Sequence, residues 1–310
     1  MKYKIIVIVV LVILVVGLGY LSDHNNKEIT ATDNPKLQVA ASFYPLYFFA
    51  SQIGGNKVKT VNITPAGAEP HDYEPTPKDI ATIDNSKLIV LNGAGLEAWG
   101  DKITPDLNAN HISVVKATFG ITLLNNPDAE EAKNTPYDPH AWVNPITAKT
   151  EVENILLGFE KADPVNKDFY DANAAKLNQH LDQIDAEYKE GLSRCRQKSI
   201  VTSHAAFGYL AQQYGLTQVP IAGLSPDAEP SAQQLAQIAD YAKKNQIKYI
   251  FFEALVNPKL SQTIANEVGA QTLVLNPIEG LTNDEIKSGK DYFSVLEQNL
   301  ANLKIALQCE

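Results

Sequence analysis

Three histidines and one glutamate stand in four short segments, each marked by proline or glycine. The segments are Glu69-Pro70-His71-Asp72-Tyr73-Glu74-Pro75, Asp138-Pro139-His140-Ala141-Trp142, Ser203-His204-Ala205-Ala206-Phe207-Gly208-Tyr209 and Asn276-Pro277-Ile278-Glu279-Gly280. Imidazole suits zinc, copper, iron and nickel, whereas manganese and magnesium sites carry more oxygen. Brought to one point, His71, His140, His204 and Glu279 would fill a tetrahedron around a divalent ion. The ion and its donors would then carry a net charge of about +1, and no open position would be left for a reactive water. That is the chemistry of metal capture, not of catalysis. The sequence agrees, since it holds no H-E-x-x-H, G-x-S-x-G, phosphate-loop or dinucleotide fingerprint.

Capture requires that elements far apart in the chain present these four segments together. From Leu37 short apolar strands alternate with amphipathic helices. Strands are expected at 37–42, 58–63, 87–91, 112–115, 199–202, 249–252 and 272–275, several of them apolar runs of the kind buried in parallel sheets. Pro45 to Ile53 reads as a helix stopped by Gly54-Gly55. Thr76-Pro77 and Asn144-Pro145 read as helix starts, and Ser231 with Gln234 as a capping box. A last helix is expected over about 291–307.

The longest helix should run from Pro164 to Arg194, about 46 Å at ~1.5 Å per residue. Leu177, Leu181, Ile184, Tyr188 and Leu192 trace its buried face. The architecture expected is α/β, two βα lobes joined by one long helix. His71, His204 and Glu279 each follow an expected strand, where ligands gather in open α/β sheets. Tyr73, Trp142, Phe207 and Tyr209 are candidates for an apolar shell around the imidazoles. His24 reads as a solvated tether residue, His180 as a solvated residue on the polar side of the long helix, and His111 lacks such neighbours.

Composition narrows the setting. A net charge of -10 over 310 residues disfavours nucleic acid, which calls for a basic face. Lys2 and Lys4 precede an apolar run from Ile5 to about Leu21, the pattern of a signal segment with its lysines on the cytoplasmic side. The remainder is therefore expected outside the cytoplasm, on the outer face of the cell membrane, tethered by this segment or released by its cleavage. The absence of a cysteine there excludes lipid attachment through an N-terminal cysteine. In an exported chain the two cysteines, Cys195 and Cys309, suggest one disulfide. The expected organisation is an anchor or signal peptide over 1–22 and a polar tether over 23–36. An N-terminal lobe over 37–162, a linking helix over 163–195 and a C-terminal lobe over 196–310 follow, in a monomer.

The P-H-D-Y-E-P, D-P-H-A-W, S-H-A-A-F-G-Y and N-P-I-E-G segments, with Phe251-Phe252-Glu253-Ala254-Leu255, resemble those of the zinc-type solute-binding proteins of metal ABC importers. The resemblance to this zinc-uptake and adhesin-like lipoprotein family extends from Leu37 to Leu307. It implies zinc (Zn2+) as transported ligand, an ABC membrane permease as partner, and a rigid long helix with the metal in the cleft between lobes. It implies His71, His140 and His204 as metal ligands. Many members carry an aspartate ligand where this chain has Asn276, and the fourth role passes to Glu279, which resembles the glutamate of one branch of zinc binders. The His-rich loop of zinc members corresponds here to Asn125–Tyr137, which has acids but no histidine. The alternatives are manganese or ferrous iron binding in the same importer class, and a surface adhesin with a structural metal. His204 speaks against manganese, since many manganese-type relatives carry a carboxylate there.

Overall fold

The computed structural model describes residues 36–128 and 130–310. The N-terminal apolar run and the tether up to residue 35, expected to hold the chain at a membrane, lie outside them. Among the described residues no helix is long and apolar enough to cross a membrane.

The first half runs β1 (Leu37–Ala41), α1 (Tyr44–Gly54), β2 (Val58–Asn62), α2 (Pro77–Asp84), β3 (Leu88–Leu91), α3 (Gly100–Ala109), β4 (Ser113–Lys116) and α4 (Pro145–Ala162). Its four strands form a parallel sheet in the order β2-β1-β3-β4. After α5 (Lys167–Gly191), the second half runs β5 (Ser199–Thr202), α6 (Gly208–Tyr214), β6 (Thr217–Pro220), α7 (Ala232–Lys244), β7 (Tyr249–Phe252), α8 (Lys259–Val268), β8 (Gln271–Val274), α9 (Asn283–Lys287) and α10 (Tyr292–Ala306). Its parallel sheet has the equivalent order, β6-β5-β7-β8. In each lobe the strand order reverses beside the first strand. Loops leaving the carboxyl ends of the strands there border a crevice.

Local chemistry sets the helix starts. Thr76 caps α2 in a box with Asp79, with proline at the first position. Ser231 and Gln234 do the same for α7, as expected from sequence. Asn144 accepts from Ile146 N at 2.9 Å to open α4. The long helix is shorter than its hydrophobic pattern suggested. Pro164–Asn166 form a 3-10 turn before α5 begins, because the Asp163 carboxylate accepts from Asn166 Nδ2 at 2.7 Å and Tyr170 hydroxyl at 2.6 Å instead of capping. The 25 residues of α5 span about 37 Å at ~1.5 Å per residue. β6 went unforeseen, as did α3, α6, α8 and α9.

The buried face of α5 carries Tyr170, Leu177, Leu181, Ile184 and Tyr188. These join a single hydrophobic cluster that includes Val39 and Phe49 of the first lobe, Phe159 of α4, and Phe251, Leu275 and Tyr292 of the second. The outer faces of the two sheets have separate, smaller clusters. The helix is thus a shared wall of one core. His180 departs from the expectation of a solvated residue: its ring stacks on Phe293 with centroids 3.6 Å apart. Phe293 lies one residue into α10, a neighbour that the pattern of α5 alone could not reveal.

Cys195 and Cys309 form a disulfide, fastening the end of the linking segment to the C-terminal tail. Arg196 N and Gln197 N donate to Gln308 O and Leu307 O beside it. The bond closes a loop of sequence separation 114, for which the chain-entropy model gives about 4–5 kcal/mol before strain is subtracted. Cys309→Ser should therefore lower unfolding stability by about 2–5 kcal/mol in denaturant titration. Identical midpoints for the variant and the oxidised parent would show that the bond contributes nothing.

Candidate metal centre

Five loops leave the carboxyl ends of strands toward one point. His71 lies in the loop after β2, His140 in the long connection after β4, and His204 two residues past β5. Glu253 follows β7 directly, and Glu279 lies beyond β8. Strand direction therefore places all of them at the same crevice.

The sequence-predicted set converges completely. Glu279 Oε1 stands 3.3 Å from His71 Nε2, 3.1 Å from His140 Nε2 and 3.1 Å from His204 Nε2. The His140 and His71 nitrogens are 3.1 Å apart, and those of His140 and His204 3.4 Å apart. All four donor atoms lie within 4.8 Å of one another. A tetrahedron with donors at ~2.0–2.1 Å from zinc has edges of about 3.3–3.4 Å. Five edges of the cluster are close to that figure, and the His71–His204 edge is the open one. His140, His204 and Glu279 are buried, while the His71 side chain keeps 10% of its exposure. The mouth of the site is on the His71 side.

Sequence reasoning missed the groups behind the imidazoles. Asp138 Oδ1 lies 2.7 Å from His140 Nδ1 and also accepts from His140 N at 2.9 Å. Glu253 Oε1 lies 2.7 Å from His204 Nδ1. A carboxylate at Nδ1 holds the proton there, so Nε2 faces the site with its lone pair, and both the ring angle and its basicity are fixed. Asp138 could have been found from the D-P-H spacing; Glu253, 49 residues from its histidine, had only its position at a strand end. Counting both as carboxylates takes the formal balance around a bound divalent ion from about +1 to about −1. Glu69 is a third addition. Its Oε1 accepts from His71 N at 3.3 Å, and burial, with Glu279 nearby, pushes its carboxyl up to about 9.

The aromatic shell is only partly as expected. Trp142 is buried beside His140, with ring centroids 5.1 Å apart. Its Nε1 donates to Pro277 O at 2.7 Å. Tyr209 hydroxyl donates to Asp138 O at 2.8 Å and accepts from Leu124 N at 3.1 Å. Phe207 belongs to the core shared by the lobes. Tyr73 turns away instead, donating to Asp79 Oδ2 at 2.7 Å in the α2 cap. Asn276 also stays out of the donor set: its Oδ1 accepts from Ile278 N at 2.7 Å. The acidic stretch Asn125–Tyr137 reaches the second lobe, where Leu224 N donates to Glu131 Oε2 at 3.0 Å. An added Cβ at Gly223 would meet the Glu131 carboxylate at 1.9 Å, so a side chain there would displace this contact.

Electrostatics divides the imidazoles. Burial lowers the His71 pKa, and the Glu279 contact does not compensate. Burial also opposes charge on His140, but Asp138 and Glu279 outweigh it and the pKa is raised. His204, between Glu253 and Glu279, is raised well above the ordinary imidazole value against the same burial. Glu279 is held well below the carboxylate range: burial would raise it, but His204 and the hydrogen bonds of the three imidazoles prevail. The neighbouring carboxylates thus favour protons on His140 and His204 more than an ordinary imidazole would, and an entering ion competes with those protons.

Two parallel-sheet lobes on a long helix, with chelating side chains gathered between them, define a two-lobed solute-binding protein. Residues 39–306 match the family described as zinc-uptake complex component A, periplasmic. The chain is 41% identical over 280 residues to the high-affinity zinc uptake system protein ZnuA of Bacillus subtilis, covering 88% of each. It is 41% identical over 277 residues to the zinc-binding lipoprotein AdcA of Streptococcus pneumoniae, covering 87% of this chain and 55% of that longer protein. The crystal structure of the Zn(II)-bound ZnuA-like domain of S. pneumoniae AdcA superposes with a TM-score of 0.77 at 42% identity, covering 88% of this chain and 99% of the domain. The laminin-binding protein Lmb of Streptococcus agalactiae, described as bifunctional with adhesin and metal transporting activity, gives 0.77 at 35% identity, covering 88% and 99%. The chain belongs to the zinc-uptake complex component A family.

The Glu253 contact makes a specific demand on His204. In metal-free protein, Glu253→Gln should bring the His204 pKa down toward the ordinary imidazole value of about 6.5, read by NMR titration of the ring. A value left as high as in the parent would mean that Glu279 alone sustains it.

Proposed function

We propose that His71, His140, His204 and Glu279 hold one zinc ion as cargo, captured outside the cytoplasm and handed to an ABC-type permease. The observation that carries this reading is the single carboxylate oxygen facing three imidazole nitrogens at 3.1–3.3 Å. Three nitrogens and one oxygen suit zinc better than manganese, whose sites draw on more oxygen. Four protein donors saturate a tetrahedral ion and leave no place for an activated water, so the chain acts as a carrier and not an enzyme. The relatives' names support zinc and a location beyond the cytoplasmic membrane.

The working unit is a monomer with lobes over residues 37–162 and 196–310, joined by the segment 163–195. The segment 1–22 anchors or exports it, and 23–36 form the tether. A net charge of -10 disfavours nucleic acid as a partner. Adhesion, the second role ascribed to the S. agalactiae neighbour, would use the outer surface and leaves the metal assignment unchanged.

Protein purified without chelator should carry one zinc per chain, and His140→Ala with His204→Ala should abolish tight binding in competition titrations against manganese. Zinc affinity unchanged in the double variant would remove this reading, and a preference for manganese would move it to the oxygen-rich class.

Acidity supplies an independent check. The raised pKa values of His140 and His204 mean that protons compete with the ion to higher pH than they would at an ordinary imidazole. Zinc affinity should therefore rise with pH, by about tenfold per pH unit for each proton displaced. An affinity constant flat between about pH 5.5 and about pH 7.5 would contradict a three-histidine site.

A further inference from the structure

The fourth donor is mounted on an unusual piece of backbone. Ile278, immediately before Glu279, has φ of +63° and is fully buried. Left-handed backbone disfavours any β-branched residue, so neighbouring bonds must impose it. Asn276 Oδ1 supplies one, accepting from Ile278 N at 2.7 Å in an Asx turn. Asn299 of α10, itself 1% exposed, supplies two more. Its Nδ2 donates to Asn276 O at 2.6 Å, and its Oδ1 accepts from Asn276 N at 2.9 Å. One side-chain amide thus satisfies both main-chain groups of Asn276 just where β8 has ended and no strand is left to do so. Trp142 Nε1 ties down the next carbonyl, Pro277 O. Glu279 leaves this fixed turn with one oxygen, Oε1, toward all three imidazoles.

We propose that Asn299, acting through Asn276 and Ile278, is a positioning residue that sets how selectively the site takes zinc. The inference rests on the four-donor reading given above. The clasp limits the oxygen supply in two ways. It keeps the Asn276 amide oxygen engaged with the backbone, and it holds Glu279 so that one oxygen faces the nitrogens. A loosened turn lets a second oxygen approach. A donor set richer in oxygen discriminates less against manganese. Asn299 therefore acts on metal choice without touching the metal.

The test uses the full chain with Asn299→Ala, Asn299→Asp and Glu279→Ala, the last as reference. Zinc and manganese affinities are measured by competition, together with the visible spectrum of bound cobalt(II), whose tetrahedral bands report donor geometry. In Asn299→Ala, zinc should bind about tenfold or more weakly, the zinc-to-manganese ratio should shrink, and the cobalt bands should weaken. Asn299→Asp keeps the acceptor for Asn276 N and loses the donor to Asn276 O. With a carboxylate oxygen set against Asn276 O it should weaken zinc at least as much as alanine does, and it carries the test by the same criteria if the alanine variant does not fold. An unchanged ratio and spectrum in a folded variant, or equal weakening of both metals with the spectrum intact, overturns the clasp. If Glu279→Ala itself leaves zinc binding and the cobalt spectrum unaltered, the four-donor reading falls, and the clasp with it. If Glu279→Ala matters and Asn299 does not, only the clasp falls.

Discussion

Imidazole nitrogens gathered around one carboxylate oxygen at 3.1–3.3 Å do not stay together of their own accord. Their lone pairs point at a common centre, where they repel and cannot be wetted by bulk water. Charge supplies part of the restraint, since protonation of His140 and His204, which the neighbouring carboxylates favour, turns repulsion into attraction toward Glu279. Asp138 and Glu253 supply another part by holding the far side of two rings. These forces explain why the cluster tolerates burial before an ion arrives. They also explain why the ion, when it enters, replaces positive charge already present instead of adding it to an apolar void.

The remaining restraint is the scaffold. Each imidazole and carboxylate leaves the end of a strand whose own position is fixed by parallel pairing. The two sheets in turn lean on one cluster of side chains around α5. Hydrogen bonds cross between the halves at the bottom of the crevice: Trp142 to Pro277 O, Tyr209 to Asp138 O, and Tyr292 hydroxyl to Trp142 O. The floor is therefore shared by both halves. The rim is lighter, with Gly67 N to Leu281 O on one side and Leu224 N to Glu131 on the other. His71, the donor that retains exposure, belongs to the rim.

Much of this was legible before the structure. Proline and glycine beside each histidine marked loops, and strand patterns placed those loops at one edge of each sheet. The helix start at Thr76-Pro77 and the box at Ser231 are short-range chemistry and were read directly; the Asp79 half of the Thr76 box was not. Long-range chemistry was less accessible. The stacking of His180 on Phe293 and the service of Glu253 to His204 join residues that no periodicity relates. Asn299 lies on a helix face that reads as ordinary packing, and its amide gains meaning only once the end of β8 is beside it. β6 escaped because four residues ending in proline carry little pattern of their own; its place at the sheet edge is decided by pairing with β5. The start of α5 was displaced because the Asp163 carboxylate is engaged by the Asn166 amide and the Tyr170 hydroxyl, which compete with capping.

The continuity of the core through α5 bears on how the molecule comes apart. Two sheets with separate interiors would melt as two units, each able to survive the loss of the other. Here Val39 and Phe49 share one interior with Phe251 and Leu275. A fragment cut at either end of α5 would expose half of that interior to water. The cooperative unit is therefore the whole of residues 37–310, and calorimetry should record one transition whose van't Hoff and calorimetric enthalpies agree.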